Sequence, residues 1–164
     1  MVSTASAKLS WQQLRKNHRK TSDVVKMCGF YEPPVDVHRI ATMLGISVRE
    51  VSSPGWSGAC QCNPEKREAT IWIRAEDHRL RKRFTLAHEI GHIVLHKPGI
   101  AYRDIEFDGS IEERQANGYA AGLLMPEFMV TPRLSAYGTD ILGLSRLFDV
   151  SEGSMRFRLV NLYV

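Results

Sequence analysis

Cysteine is scarce in this chain: three residues in 164, Cys28, Cys60 and Cys62. An odd, scattered set does not make a disulfide framework. Cys60-Gln61-Cys62 also lacks the second pair that a cysteine-built metal site needs. Free thiols, buried or half-buried, are the expectation. Long apolar runs are missing too, with nothing near the ~18 residues of a membrane helix. The Ser/Ala-rich start has no apolar h-region, so a soluble, cytoplasmic protein is expected. There are no internal repeats and no low-complexity tracts.

Neither sign of charge dominates: 22 Lys and Arg stand against 18 Asp and Glu, a net charge of +4. Part of the excess is gathered in Arg15-Lys16-Asn17-His18-Arg19-Lys20 and Arg79-Leu80-Arg81-Lys82-Arg83. Such runs are usually solvated helix faces, so direct binding of nucleic acid is not expected. An acidic patch on a protein partner is equally compatible with them.

What is present suits one domain. At 43% hydrophobic over residues 1–164, the chain can bury its own core, with residues 1–9 expected to be disordered. The pattern predicts a polar helix over 10–27 and a short helix over 36–44. Strands are expected over 46–51, 58–62 and 69–74, the last from the alternation of Ala69-Thr70-Ile71-Trp72-Ile73-Arg74. Ser52-Ser53-Pro54-Gly55 and Asn63-Pro64-Glu65-Lys66 read as turns. The fold class is therefore α+β: a small antiparallel three-stranded sheet packed with helices.

From about Asp77, Leu80, Phe84, Ala87, Ile90, Gly91, Val94 and Leu95 recur at helical spacing, and Pro98-Gly99 ends the run. On that helix lies His88-Glu89-Ile90-Gly91-His92, an H-E-x-x-H pattern. Residues i and i+4 share a helix face, so His88 and His92 can aim ring nitrogens at one ion, with bonds of roughly 2.1 Å. Glu89, rotated about 100° from His88, can hold a water beside that ion and take its proton.

The pattern arises by chance in roughly one or two such chains per hundred, so the third ligand decides its meaning. The metzincin extension would require Gly at position 95 and His at 98; the chain has Leu95 and Pro98. His96 is eight residues beyond His88, a rise of about 12 Å, too far for three side chains on one axis to converge. It reads as a helix-end histidine that satisfies late carbonyls or the dipole. A second helix, Ile111 to Met125, ends at Pro126 and carries small residues for close packing. Its Glu113 is a candidate third ligand, as in His₂Glu zinc sites, yet Ser110-x-x-Glu113 is equally a capping box. The residues alone leave both open.

The run from Phe84 to His96, followed by the run from Glu113 to Pro126, resembles the ImmA/IrrE family of metallo-endopeptidases. The flanks are similar as well, so the resemblance covers about residues 30–162. It implies a zincin-like helix with a glutamate as third ligand (gluzincin-like), one zinc ion per chain, His88, His92 and Glu113 as its ligands, and Glu89 as general base toward a zinc-bound water. It also implies Asn117, one turn after Glu113, as the residue that orients a ligating histidine. Gln115, where Glu is more usual, and Tyr119, in place of Phe, depart from the family pattern and are expected to matter little. Tyr102, Arg103 and Tyr119 are possible oxyanion donors, although Tyr119 suits a core position and the other two a surface loop over 97–110, the expected rim of a cleft. The implied partner is a cognate helix-turn-helix repressor of the XRE type, cleaved in a stress, mobile-element or phage setting.

A different class of function is written at the C-terminus. Residues 141–148, a turn at Asp149-Val150-Ser151 and residues 152–162 resemble a helix-turn-helix, with Ser151 as N-cap and Arg156 and Arg158 on the second helix. That would suit a DNA-binding regulator or a toxin-antitoxin component acting by protein binding. The simpler expectation is a helix pair whose Leu144, Leu147, Phe148, Met155, Leu159 and Leu162 complete the core.

Overall fold

The computed structural model describes residues 9–17, 20–53, 55–96, 102–103, 109–138 and 140–162, with only the backbone of 102–103. The chain is α+β. Its helices are α1 (Trp11–Asn17), α2 (Thr21–Met27), α3 (Val37–Met43), α4 (Arg79–Leu95), α5 (Ile111–Leu124), α6 (Glu127–Tyr137), α7 (Ile141–Phe148) and α8 (Glu152–Val160). Its strands are β1 (Ser47–Val51), β2 (Gly58–Asn63), β3 (Glu68–Arg74) and β4 (Tyr102–Arg103). The N-terminal helix expected over 10–27 is two helices, α1 and α2; residues 18–19 between them, like 1–8, lie outside the described residues.

The strands form one sheet in the order β1-β3-β2-β4. β2 and β3 are an antiparallel hairpin, with Cys60 opposite Ile71. Its turn is closed by Asn63 Oδ1, which accepts from Glu65 N and Lys66 N at 3.1 Å each. β1 runs parallel to β3, so the sheet is mixed rather than wholly antiparallel. The burial pattern explains the order: β3 presents Ala69, Ile71 and Ile73 to the core and takes a central place. β1, with Arg49 and Glu50 exposed, is suited to an edge. The stretch expected to be all loop also contributes a strand, since β4 pairs antiparallel with β2, Arg103 opposite Ala59 and Tyr102 opposite Cys60.

α4 lies across this sheet and is buried from Thr85 to Val94. Leu86, Ile90 and Ile93 are all but fully enclosed, and burial of side chains of this kind contributes about 1.5–3 kcal/mol each. α5 packs on the other side of α4, its apolar stripe running through Ala116, Ala120, Leu123 and Leu124. Small residues set the spacing. A Cβ at Gly91 would stand 3.2 Å from Ala116 Cα, from Ala116 O and from Tyr119 Cβ, so the two backbones approach as closely as glycine allows. A Cβ at Gly122 would collide with Thr21 of α2.

The C-terminal helices join the same core through Leu144, Phe148, Met155 and Leu162. Asp149, at φ 57° between α7 and α8, is clamped to the start of α4. Arg79 pairs with its carboxylate through both Nη atoms, one at 2.7 Å, and Arg83 Nε donates to Asp149 O at 3.0 Å. Lys82 pairs with Glu50 at 3.0 Å. Much of the second basic run is therefore engaged inside the molecule. All three cysteines are buried, and no helix among the described residues is long and apolar enough to cross a membrane.

Candidate metal centre

His78 caps α4, its Nδ1 accepting from Leu80 N at 3.3 Å, and ten residues later the helix presents His88 and His92 toward α5. Their Nε2 atoms lie 3.0 Å apart. Glu113, in the first turn of α5, closes the set: Oε2 is 3.2 Å from His88 Nε2 and Oε1 is 3.0 Å from His92 Nε2. The close approach at Gly91 is what lets the carboxylate reach.

These donors fit a metal ion. Tetrahedral bonds of about 2.0–2.1 Å separate neighbouring ligand atoms by roughly 3.3 Å, close to the spacing observed. His88, His92 and Glu113 are the group of side chains that can hold an ion among the described residues. Glu113 also answers the capping question, because both readings apply to different atoms. Its backbone N–H donates to Ser110 Oγ at 3.2 Å, while its carboxylate turns to the histidines.

The imidazoles are prepared from behind. His88 Nδ1 lies 2.9 Å from Asn117 Oδ1; donation to that oxygen leaves the Nε2 lone pair facing Glu113. Burial, reinforced by the His88 and His96 rings, pushes the His92 imidazole down to about 3, so it is neutral and retains a lone pair to offer.

His96 is a helix-end residue as the sequence suggested, the C-cap of α4, and its ring is also engaged with the site. The residue is 8% exposed; Nδ1 is 2.8 Å from His92 Nδ1 and Nε2 is 3.3 Å from Gln115 Oε1. The i, i+4 rule that pairs His88 with His92 also pairs His92 with His96, which was the available signal. Gln115, expected to matter little, is thereby connected to the site.

Glu89 is 1% exposed and faces the sheet. A Cβ at Gly58 would stand 2.6 Å from Glu89 Oε1 and 2.5 Å from Thr85 Cγ2, so glycine at the start of β2 makes the room this carboxylate occupies. Tyr119 is buried and its hydroxyl pushed up by that burial. It lines a different hollow from the one at the triad. The side chains of Tyr102 and Arg103 lie outside the described residues.

A cleft of roughly 640 Å³ opens over His88, Glu113 and Asn117. One wall carries Trp56, Arg81 and Phe84, and Gly153, Ser154 and Phe157 of α8 form another part of the lining. α8 thus faces the cleft with its first turns. Arg158, a candidate DNA contact by sequence, is instead buried, its Nε donating to Met125 O at 2.8 Å. Arg156 lies 3.7 Å from Glu152.

Residues 41–160 match the family model Peptidase_M78, described as the IrrE N-terminal-like domain. No curated protein matches the chain.

Proposed function

Since the chain belongs to the Peptidase_M78 family, we propose that it is a zinc-dependent endopeptidase that hydrolyses a specific protein substrate in the cytoplasm. The observation that carries this reading is the convergence of His88, His92 and Glu113, with mutual distances of 3.0–3.2 Å, from two separate helices. Two imidazoles and one carboxylate are a donor set suited to zinc that leaves a fourth position open.

His88 and His92 would hold the ion through Nε2 and Glu113 through its carboxylate. Bound there, zinc supplies Lewis-acid chemistry, polarising a carbonyl and making water acidic enough, with a pKa near about 7, to lose a proton at neutral pH. Glu89 accepts that proton as the water oxygen attacks the peptide carbonyl carbon. It then delivers the proton to the amine that leaves when the C–N bond breaks. Asn117 keeps the His88 proton on Nδ1 and so away from the ion. The cleft over the site, lined by Trp56, Phe84, Phe157 and Arg81, is the proposed seat of the substrate segment.

The proposed substrate is a helix-turn-helix repressor of the XRE type, cleaved under stress; resemblance to the ImmA/IrrE family supports it. Incubation of the purified protein with its candidate repressor should yield two fragments. Glu89→Gln should lower that rate by about 10²–10⁴-fold while zinc content stays at one ion per chain, and Glu113→Gln should lose the zinc. Cleavage by Glu89→Gln at the unsubstituted rate would refute the mechanism.

A further inference from the structure

The basic run at the start of α4 divides by what its members face. Arg79 and Arg83 hold Asp149 and Lys82 pairs with Glu50 at 3.0 Å, whereas Arg81 lines the cleft. Its Nη2 donates to Ser57 Oγ at 3.3 Å. Ser57 O accepts in turn from Arg74 N, at the end of β3, at 2.8 Å. Strand, loop and helix thus meet at Ser57, with Trp56 beside it on the cleft wall. An arginine fork carries five donors, enough to serve a hydroxyl and a carboxylate together.

Helical geometry relates this guanidinium to the metal centre. Arg81 precedes His88 by seven residues, about two turns, so both lie on one side of α4 with a rise of about 10.5 Å between them. Phe84 and Thr85 fall between them on that side, and both line the cleft. An extended peptide advances about 3.3 Å per residue, so a chain laid along this row from the metal centre reaches Arg81 after about three residues. The charges agree. Among the described residues that line the cleft, the cations are Arg74 and Arg81 and the one carboxylate is Glu113, which the zinc reading assigns to the ion. Arg74 is held by Glu76 at 3.4 Å and Asp77 at 3.9 Å, next to it in the chain; Arg81 stands on the row that leads to His88.

We propose that Arg81 is a specificity-determining residue. It selects substrate segments that carry Asp or Glu about three residues from the scissile bond, with an apolar side chain between the two, set against Phe84 and Phe157. The proposal rests on the peptidase reading above and adds to it the charge of the segment that is cut.

A peptide library, made by tryptic digestion of denatured bacterial protein and offered to the zinc-loaded full chain, tests it, with mass spectrometry of the new ends reading both sides of each cut. Asp or Glu should be enriched about five- to tenfold at a position two to four residues from the cut, and added salt should weaken the preference. Arg81→Gln should abolish the enrichment and Arg81→Glu should replace it by Lys or Arg, each with zinc content unchanged. Arg81 is exposed, so neither substitution should cost the fold. Independently of cleavage, a fluorescein-labelled peptide with one Phe and one Glu two residues apart should bind about five- to tenfold more tightly than the same peptide with Lys in place of Glu. Arg81→Glu should reverse that order. Cuts without an acidic preference, or a preference that survives Arg81→Glu, would overturn the proposal and leave the peptidase reading intact. A library left uncut would count against the peptidase reading instead; the labelled peptides would then decide the role of Arg81, and equal binding of both would overturn it.

Discussion

The two faces of α4 solve different problems with the same device. Toward α5 the helix presents His88 and His92, and Gly91 between them lets the neighbouring backbone come within 3.2 Å of where a Cβ would be. Toward the sheet it presents Glu89, and the space is made by the partner instead, at Gly58 of β2. On the first face a missing side chain draws two helices together so that donor atoms from both can meet. On the second it gives one buried carboxylate a place to sit. Removing each glycine should therefore damage a different function.

Gly58→Ala should have the larger effect. Its Cβ would lie 2.6 Å from Glu89 Oε1, so the carboxylate must move, and turnover should fall about a hundredfold, the scale of a misplaced general base. Zinc content, measured by elemental analysis, should be unchanged; loss of zinc in this variant would erase the contrast between the faces.

Gly91→Ala should do the reverse, weakening zinc binding about tenfold while turnover per bound ion changes less. Its neighbours are the Ala116 backbone and Tyr119 Cβ of α5, and overpacking of this sort costs about 1–3 kcal/mol, against a gain of about 1 kcal/mol in helix propensity. Chelator competition and thermal unfolding would check both parts, and a variant that keeps its zinc affinity would show that Glu113 reaches the histidines without the close approach.

Asp149→Asn should have the smallest effect and should spare both faces. The Arg79 hydrogen bond holds the Asp149 carboxyl below its ordinary range. Its contribution to stability is thus present above the ordinary carboxylate pKa and is lost as pH falls through the depressed folded value. Unfolding followed across acid pH should show a shallower fall for the variant. Equal acid sensitivity of the two proteins would mean that the clamp does not set it.

The elements that frame the site were legible because each carries a local signal. α4 and α5 show helical periodicity, and the cap at Ser110 forms as its spacing implies. β3 shows alternation, and α8 begins at a serine whose Oγ accepts from Ser154 N at 3.0 Å. What was not legible is non-local or atypical. The place of β1 beside β3 depends on which strand can bear both neighbours, and two residues of β4 are too few to alternate. α6 was missed because Pro132 stands inside it, where a missing N–H ordinarily ends a helix. At the site, geometry along one axis ruled out His96 as a ligand and said nothing about what stands behind a ligand. Gly58 gave no signal at all, since its reason lies across the fold in Glu89.

The first turns of α8 line the cleft beyond residue 150, whereas the three converging donors fall between residues 88 and 113. α8 is fastened by its own means, through Asp149 to α4 and through Arg158 to Met125 O, and it exposes Phe157 at 41%. α8 thus adds to the lining of a cleft that also draws side chains from α4 and α5, the helices of the candidate ligands. Under the proposed function, substitutions at Phe157 should retune which peptide segment the cleft accepts while the histidines and their carboxylate stay as they are.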